Sequence, residues 1–428
     1  MLKISQAETQ SGKANLFLVI PVHECIQENT FPIVVLPPRI GLRKQTVSRI
    51  IEGPKFTQKQ YDNIKEKHLC FTDSTARRVD NKTLINKINK GKTKVFIVLN
   101  NHCGLTRLVS LVYELINRGK KVNIFIDEVH SCLDLNIKEV DIEDNTKRAY
   151  ETINTFMTKK TSVIENEDLE SFCSDQLWNW LIFTIQENLT IKGVTATVTP
   201  LMFNKYWKKS EVLLDITRNP VPDVYCGFDS FQKENTTGIT KAFNAILKKN
   251  KPTIVMFHAE RIKVSHIARG KQWNSICRKH KKKKSGFFID NGEGWILYDE
   301  KNSELERFRK NGDFNEPWQV LEYFIKEYKK EYILITGKFC LGMGTTYQKC
   351  DNEHNVVIDH LIMQTGKKDI TKFASVQQEI GRLCTNDPLK RKRTLWCTPE
   401  THDYIEKSYV LERQIAEGKW NKETEKNK

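Results

Sequence analysis

Val122-Asn-Ile-Phe-Ile-Asp-Glu-Val-His130 is the stretch whose reading decides the fold. A short apolar run closed by charged residues predicts a buried strand. Two adjacent acids, Asp127 and Glu128, stand at its carboxyl end, and α/β folds bind ligands at that end of their strands. One such carboxylate can hold Mg²⁺ while the other orients and deprotonates a water. Asp127 is expected to take the metal and Glu128 the water. His130 is expected to hydrogen-bond toward a second domain.

Far upstream lies Ala7-Glu-Thr-Gln-Ser-Gly-Lys-Ala14, which reads as a damaged phosphate loop. An intact loop wraps phosphate with backbone N–H groups, neutralises it with lysine and offers a hydroxyl to Mg²⁺. Gln10, Ser11, Gly12 and Lys13 are the expected nucleotide contacts. Ala7 replaces the first glycine, and Ala14 replaces the hydroxyl. The loop stands so near Met1 that little room is expected for a strand before it.

Three further segments carry candidate chemistry. Thr195-Ala-Thr197 places small hydroxyls after a strand, where they can relay position between a nucleotide and a nucleic acid. Thr336 to Thr346 holds several glycines, Gly344 among them, that allow close backbone approach to a ligand. In Gln378-Glu-Ile-Gly-Arg382, Arg382 is a candidate arginine finger, and Gln378 can bond the same phosphate.

Short apolar strands alternate with helices across the chain, which predicts α/β domains with parallel sheets covered on both faces. Strands are expected at 31–36, 94–99 and 191–199, and a helix at 105–117 on the spacing of Leu108, Leu111, Val112 and Leu115. Residues 133–190, with Trp178 and Trp180, read as a helical insertion. A second alternating block begins near Lys251, with strands at 252–257, 286–289, 295–298, 332–336 and 355–358 and a helix at 317–329. The expected domains are 1–215 and 251–428, with 216–250 as linker.

The 428 residues suffice for two to three domains, and the formal net charge of +16 favours an anionic polymer as partner. The densest basic run, Arg278 to Lys284, reads as a phosphate grip or as a solvated loop. The 11 cysteines are scattered without a CxxC pair, which argues against a zinc site and for a reducing compartment. No apolar run approaches the ~18 residues of a membrane span, and no secretory signal is visible.

The order and content of these segments resemble the superfamily two helicases of the DEAD/DEAH-like set across most of the chain. Asp127-Glu-Val-His130 is similar to a DExH form of motif II, and Ala7 to Lys13 looks like motif I. Residues 37–39 with Gln45, 195–197, 254–258, 336–346 and 378–382 resemble motifs Ia, III, IV, V and VI. The resemblance implies two RecA-like domains with ATP and Mg²⁺ in the cleft between them. It implies DNA or RNA as the track, with Arg39, Arg107, Thr195 and Thr197 near it. The Lys- and Asn-rich composition resembles viral or phage helicases. The cytoplasm, the nucleus, a virion or a viral factory are the compartments expected.

Two departures stand out. Motif VI often continues to a second arginine, and here Thr385 stands in its place. No room is left for an adenine-reading Q motif, which implies a truncated start or indifference to the base. The expected function is ATP-dependent translocation on, or unwinding of, nucleic acid. A hydrolysis-poor ATP-binding clamp or truncated relative is the alternative. A packaging motor ranks lower, because the C-terminal half carries the Gln-x-x-Gly-Arg motif.

Overall fold

The computed structural model of the chain describes residues 2–7, 13–38, 40–54, 59–71, 80–133, 174–183, 188–198, 201, 214–218, 221–258, 263–291, 294–309, 312, 314–337, 346–363 and 373–419. The chain divides into two compact units. One runs from the N-terminus to Asn219 and is joined by the segment from Gln414; the other comprises Pro220–Arg413.

The first unit is built on seven strands: β1 (Leu2–Gln6), β2 (Phe31–Leu36), β3 (Leu69–Phe71), β4 (Val95–Leu99), β5 (Val122–Asp127), β6 (Leu189–Thr195) and β7 (Leu214–Arg218). All pair in parallel, in the order β3-β4-β2-β5-β6-β1-β7. Parallel neighbours need crossover connections. Helices α1 (Ile20–Gln27), α2 (Ile40–Glu52), α3 (Asn81–Asn89) and α4 (His102–Asn117) supply them. Strands β2 and β4 are buried along their whole length, so both read as unbroken apolar runs. Leu18, Val22 and Ile50 cover one face of the sheet over Val34, Ile97 and Phe125. The helix Ser174–Phe183 lies within the expected excursion and packs on α4, with Trp180 6.5 Å from the Tyr113 ring.

Three expectations need correction. A strand does precede the phosphate loop: β1 lies between β6 and β7. Only Leu2 and Ile4 turn inward as aliphatic side chains, and the ladders on both sides supply the rest of its stability. Helix α4 starts at His102 rather than 105, because the Asn101 side chain caps it by accepting from Gly104 N at 2.8 Å. Strand β6 ends at Thr195, four residues early. The Thr195 hydroxyl accepts from Thr197 N (3.0 Å) and turns the chain out of the ladder.

The second unit holds the short pairs β8 (Tyr225–Cys226) with β18 (Thr385–Asn386), and β15 (Lys349–Cys350) with β16 (Asn355–Val356). Its main sheet uses β9 (Gln232–Asn235), β10 (Thr253–His258), β11 (Ser285–Asn291), β12 (Gly294–Tyr298), β13 (Glu304–Phe308), β14 (Tyr332–Gly337), β17 (His360–Ile362) and β19 (Thr394–Cys397). The order is β13-β12-β11-β14-β10-β17-β19-β9. Six strands, from β11 to β9, run parallel, and β12 and β13 extend one end as antiparallel additions. Both units are therefore α/β, each a mainly parallel sheet flanked by helices.

The basic run at 278–284 is part of this fold. It closes the helix Lys263–Lys279 and turns into β11. Lys282 lies 5.1 Å above the Tyr332 ring, and Lys284 pairs with Glu331 at 2.6 Å.

Asp387 anchors a buried ion network in the same unit. Its carboxylate accepts from Arg391 Nε (3.0 Å) and Arg393 Nη2 (2.8 Å), and Asp387 and Arg393 are almost wholly buried. Burial alone would raise the Asp387 pKa; the Arg391 hydrogen bonds override it and hold the carboxyl far below the usual range. Removing one partner of such a set strands the opposite charge, at a cost of about 3–5 kcal/mol. Asp387→Ala should therefore lower the urea midpoint of the protein sharply, followed by tryptophan fluorescence. An unchanged midpoint would show that the arginines find other partners.

Candidate functional site

Strand order brings the candidate residues of the first unit together. β6 separates β5 from β1, and the three carboxyl ends stand side by side. Asp127 closes β5, Thr195 closes β6, and Ala7 follows β1. The start of the loop is tied to β6: Ala7 N donates to Thr195 O (2.9 Å), and Gln6 Nε2 to Ala196 O (3.2 Å).

Lys13 opens the helical segment after the loop, and its Nζ donates to Glu128 Oε1 at 2.5 Å. Both side chains are nearly out of water, at 12% and 11% exposure. Glu128 holds a left-handed backbone, φ +49° and ψ +53°, which is unusual for a residue with a side chain. Its N–H turns back to donate to Asp127 Oδ1 at 3.0 Å. The other Glu128 oxygen is 3.5 Å from His130 Nδ1, and that nitrogen is 2.6 Å from Thr195 Oγ1. Thr195 in turn donates to Thr197 O (3.2 Å). The tautomer of His130 sets which of His130 and Thr195 donates in their contact. Lys13, Glu128, His130, Thr195 and Thr197 thus lie in succession, the Glu128–His130 step being a 3.5 Å approach. His130 meets Thr195 of the same unit.

Asp127 is 4% exposed. Burial pushes its carboxyl up to about 6; the Glu128 charge adds to the shift, and Lys13 and Arg49 oppose it. This is a carboxylate that gains from a cation. Mg²⁺ takes oxygen ligands and keeps waters and substrate phosphates around one or two carboxylates. Among the described residues no three His, Cys, Asp or Glu converge as a metal cage. The site fits Mg²⁺ carried in by a nucleotide, with Asp127 as the protein's carboxylate.

Two supporting residues escaped the sequence reading. A Cβ on Gly193 of β6 would meet Val129 Cγ2 at 2.7 Å, so only glycine lets the short helix α5 (Val129–Cys132) sit behind Glu128. A glycine inside a strand pattern is the signal that was there to read. Asn100 donates from Nδ2 to Cys132 O (3.1 Å) and accepts from Trp178 Nε1 (2.9 Å), which fixes the far end of α5.

Other expected residues lie elsewhere. Thr195 and Thr197 are fully buried. Arg107 stands on α4 with its guanidinium 5.8 Å from the Phe96 ring of β4, and two strands separate β4 from β6. In the second unit Arg382 is buried, 5.9 Å from the Tyr347 ring, and Tyr347 donates to Asp290. Gln348 Nε2 donates to Arg382 O (2.5 Å) and Cys384 O (3.1 Å), while its Oε1 accepts from Ile358 N (2.8 Å). Gln378 lies in the helix Phe373–Ile380. Gln10, Ser11, Gly12, Arg39 and Gly344 lie outside the described residues.

No family model and no curated protein matches the chain. Solved structures do resemble it. Mss116p bound to ssRNA and AMP-PNP shares 13% identity over 96% of this chain and 69% of its own, with a TM-score of 0.44. The helicase MrfA bound to DNA and AMPPNP shares 14% over 95% of this chain and 48% of its own, with a TM-score of 0.46. The Escherichia coli DEAH/RHA helicase HrpB shares 11% over 94% of this chain and 41% of its own, with a TM-score of 0.45. Likenesses at this level concern the course of the chain, not its chemistry.

The raised Asp127 pKa has a measurable consequence. Above about pH 6 the buried group is charged and destabilises the folded chain; below about pH 4 it is neutral folded and unfolded alike, and the penalty is gone. Asp127→Asn keeps the oxygen that accepts from Glu128 N. It should stabilise the nucleotide-free protein by about 1–3 kcal/mol at pH 8 and by little at pH 4. Denaturant titrations at the two pH values measure this. A variant no more stable than the parent at pH 8 would remove the burial penalty from the account.

Proposed function

We propose that the chain is an ATP-dependent helicase or translocase on DNA or RNA, of superfamily two and the DExH type, with two RecA-like domains. The observation that carries this reading is the 2.5 Å contact between Lys13 and Glu128 beside the buried Asp127. A lysine, a metal-seeking carboxylate and a second carboxylate at the carboxyl edge of a parallel sheet are what phosphoryl transfer to water requires. The Lys- and Asn-rich composition points, within this proposal, to a viral or phage type.

Nucleotide phosphates would take Glu128's place on Lys13, and the backbone of Gln10, Ser11 and Gly12 would wrap them. Asp127 would hold Mg²⁺, which would supply neutralisation of the phosphate charge. Glu128, released from Lys13, would orient water and take its proton, steadied by His130 on its other oxygen. The His130–Thr195–Thr197 path would report the state of Glu128 to the segment beyond β6. Arg382 and Gln378 are assigned to the charge that develops on the γ-phosphate, and Gly344 to close approach of the backbone. Arg39 and Arg107 are assigned to the nucleic-acid backbone. These assignments are part of the proposal.

One feature favours a second reading, a hydrolysis-poor ATP-binding clamp. Ala14 sits in helical geometry, φ −63° and ψ −35°, with a methyl group where a phosphate loop offers its hydroxyl. ATP hydrolysis by the full chain, with and without single-stranded DNA or RNA, separates the two. On the motor reading, one polymer stimulates turnover. Glu128→Gln should then lower turnover about 100-fold while ATP still binds, and Lys13→Ala should lose both. Tight binding of ATP and nucleic acid without turnover would leave the clamp, and full turnover by Glu128→Gln would sink the assignment of the base.

A further inference from the structure

We infer that the first unit carries a second anion site, a cavity beside the edge strand β3 that takes a small ligand bearing closely spaced phosphates. The cavity measures about 590 Å³ and is lined by Lys67, His68, Cys70, Lys87, Lys92 and Arg107 along with Leu69, Phe71, Gly91 and Thr93. That volume suits a small molecule rather than an extended strand. The inference does not depend on the function proposed above, since β4 and β2 separate β3 from β5 and its acids.

Charge is the first argument. Among the described residues, four permanent cations line one concavity and no Asp or Glu does. Lys67, Lys87 and Lys92 form no salt bridge with any described residue. Lys87 and Lys92 flank the C-terminal end of α3, where cations favour the helix dipole. That accounts for part of the charge only. Lys67 comes from the turn before β3, and Arg107 from α4. Basic groups from three separate elements focus a positive field into a walled space, which concentrates anions there.

Shape and surroundings are the second argument. The Arg107 guanidinium lies 5.8 Å from the Phe96 ring. The exposed Lys67, Lys87 and Lys92 supply mobile point charges that suit phosphate oxygens. Cys70 lines the same space, and the charges of Arg107 and Lys87 both act on its thiol, against the burial that raises its pKa. The residues distinguish no base or sugar, so recognition is by phosphate spacing.

Cys70 makes the site measurable. The probe is inorganic tripolyphosphate added to the full chain carrying Lys13→Ala, which removes binding at the phosphate loop. Alkylation by iodoacetamide is followed by peptide mass spectrometry, with the exposed Cys103 as internal reference. Tripolyphosphate should slow alkylation of Cys70 and leave Cys103 unchanged. The double variant Lys87→Glu/Lys92→Glu, made at exposed positions, should weaken protection at least about tenfold. ATP should protect no better than tripolyphosphate. Absence of protection, or protection equal in the double variant, would overturn the proposal. Protection by a short single-stranded DNA but not by tripolyphosphate would also overturn it, and would make the cavity part of a nucleic-acid track.

Discussion

The ion pair between Lys13 and Glu128 is the constraint around which the first unit's candidate site is organised. It joins the segment after β1 to the turn after β5, across the carboxyl end of β6. Such a contact is possible because β1 and β5 are both parallel neighbours of one strand. A nearly buried pair is a poor source of net stability, since desolvation offsets much of the attraction. Its value lies in poise. Glu128 meets Lys13 from a left-handed conformation that few residues adopt, and an anion competing for Lys13 would change the forces on that carboxylate. Gly193 and Asn100 hold the helix behind Glu128, so a change at Glu128 passes more readily to His130 and Thr195 than into the α5 backbone.

How much of this was legible in the sequence depended on whether a residue's role was local. Phe31–Leu36, Val95–Leu99 and Val122–Asp127 were readable because a strand buried on both faces must be apolar throughout. The acids after β5 were readable because carboxylates at the end of such a strand have few bland explanations. β1 was not, since two inward aliphatics in five residues give no pattern, and its place is set by ladders to residues nearly 200 positions away. β3 failed for a similar reason: three residues at a sheet edge carry no periodicity. Asn100, Gln348 and Asp387 act through partners 32, 34 and 6 positions distant. Single polar residues of that kind look like ordinary surface in a sequence. The basic run at 278–284 shows the converse, a loud local signal whose Lys282 and Lys284 are spent on packing and pairing.

The turn after Arg382 gives the second unit its own internal logic. Thr385 lies in β18 opposite Cys226 and is buried. A guanidinium there would need a buried acid, and the nearest in sequence, Asp387, is already committed to Arg391 and Arg393. The small hydroxyl at Thr385 thus suits its buried surroundings. Rigidity in this turn comes from Gln348, whose one amide satisfies the carbonyls of Arg382 and Cys384 and the N–H of Ile358. Burying three backbone groups without partners would cost more than the glutamine's lost freedom. Gln348 adjoins Tyr347, whose ring lies beneath Arg382 and whose hydroxyl is fixed on Asp290. One dipeptide therefore sets both the backbone and the side-chain surroundings of Arg382. That placement gives the buried Arg382 guanidinium a defined direction.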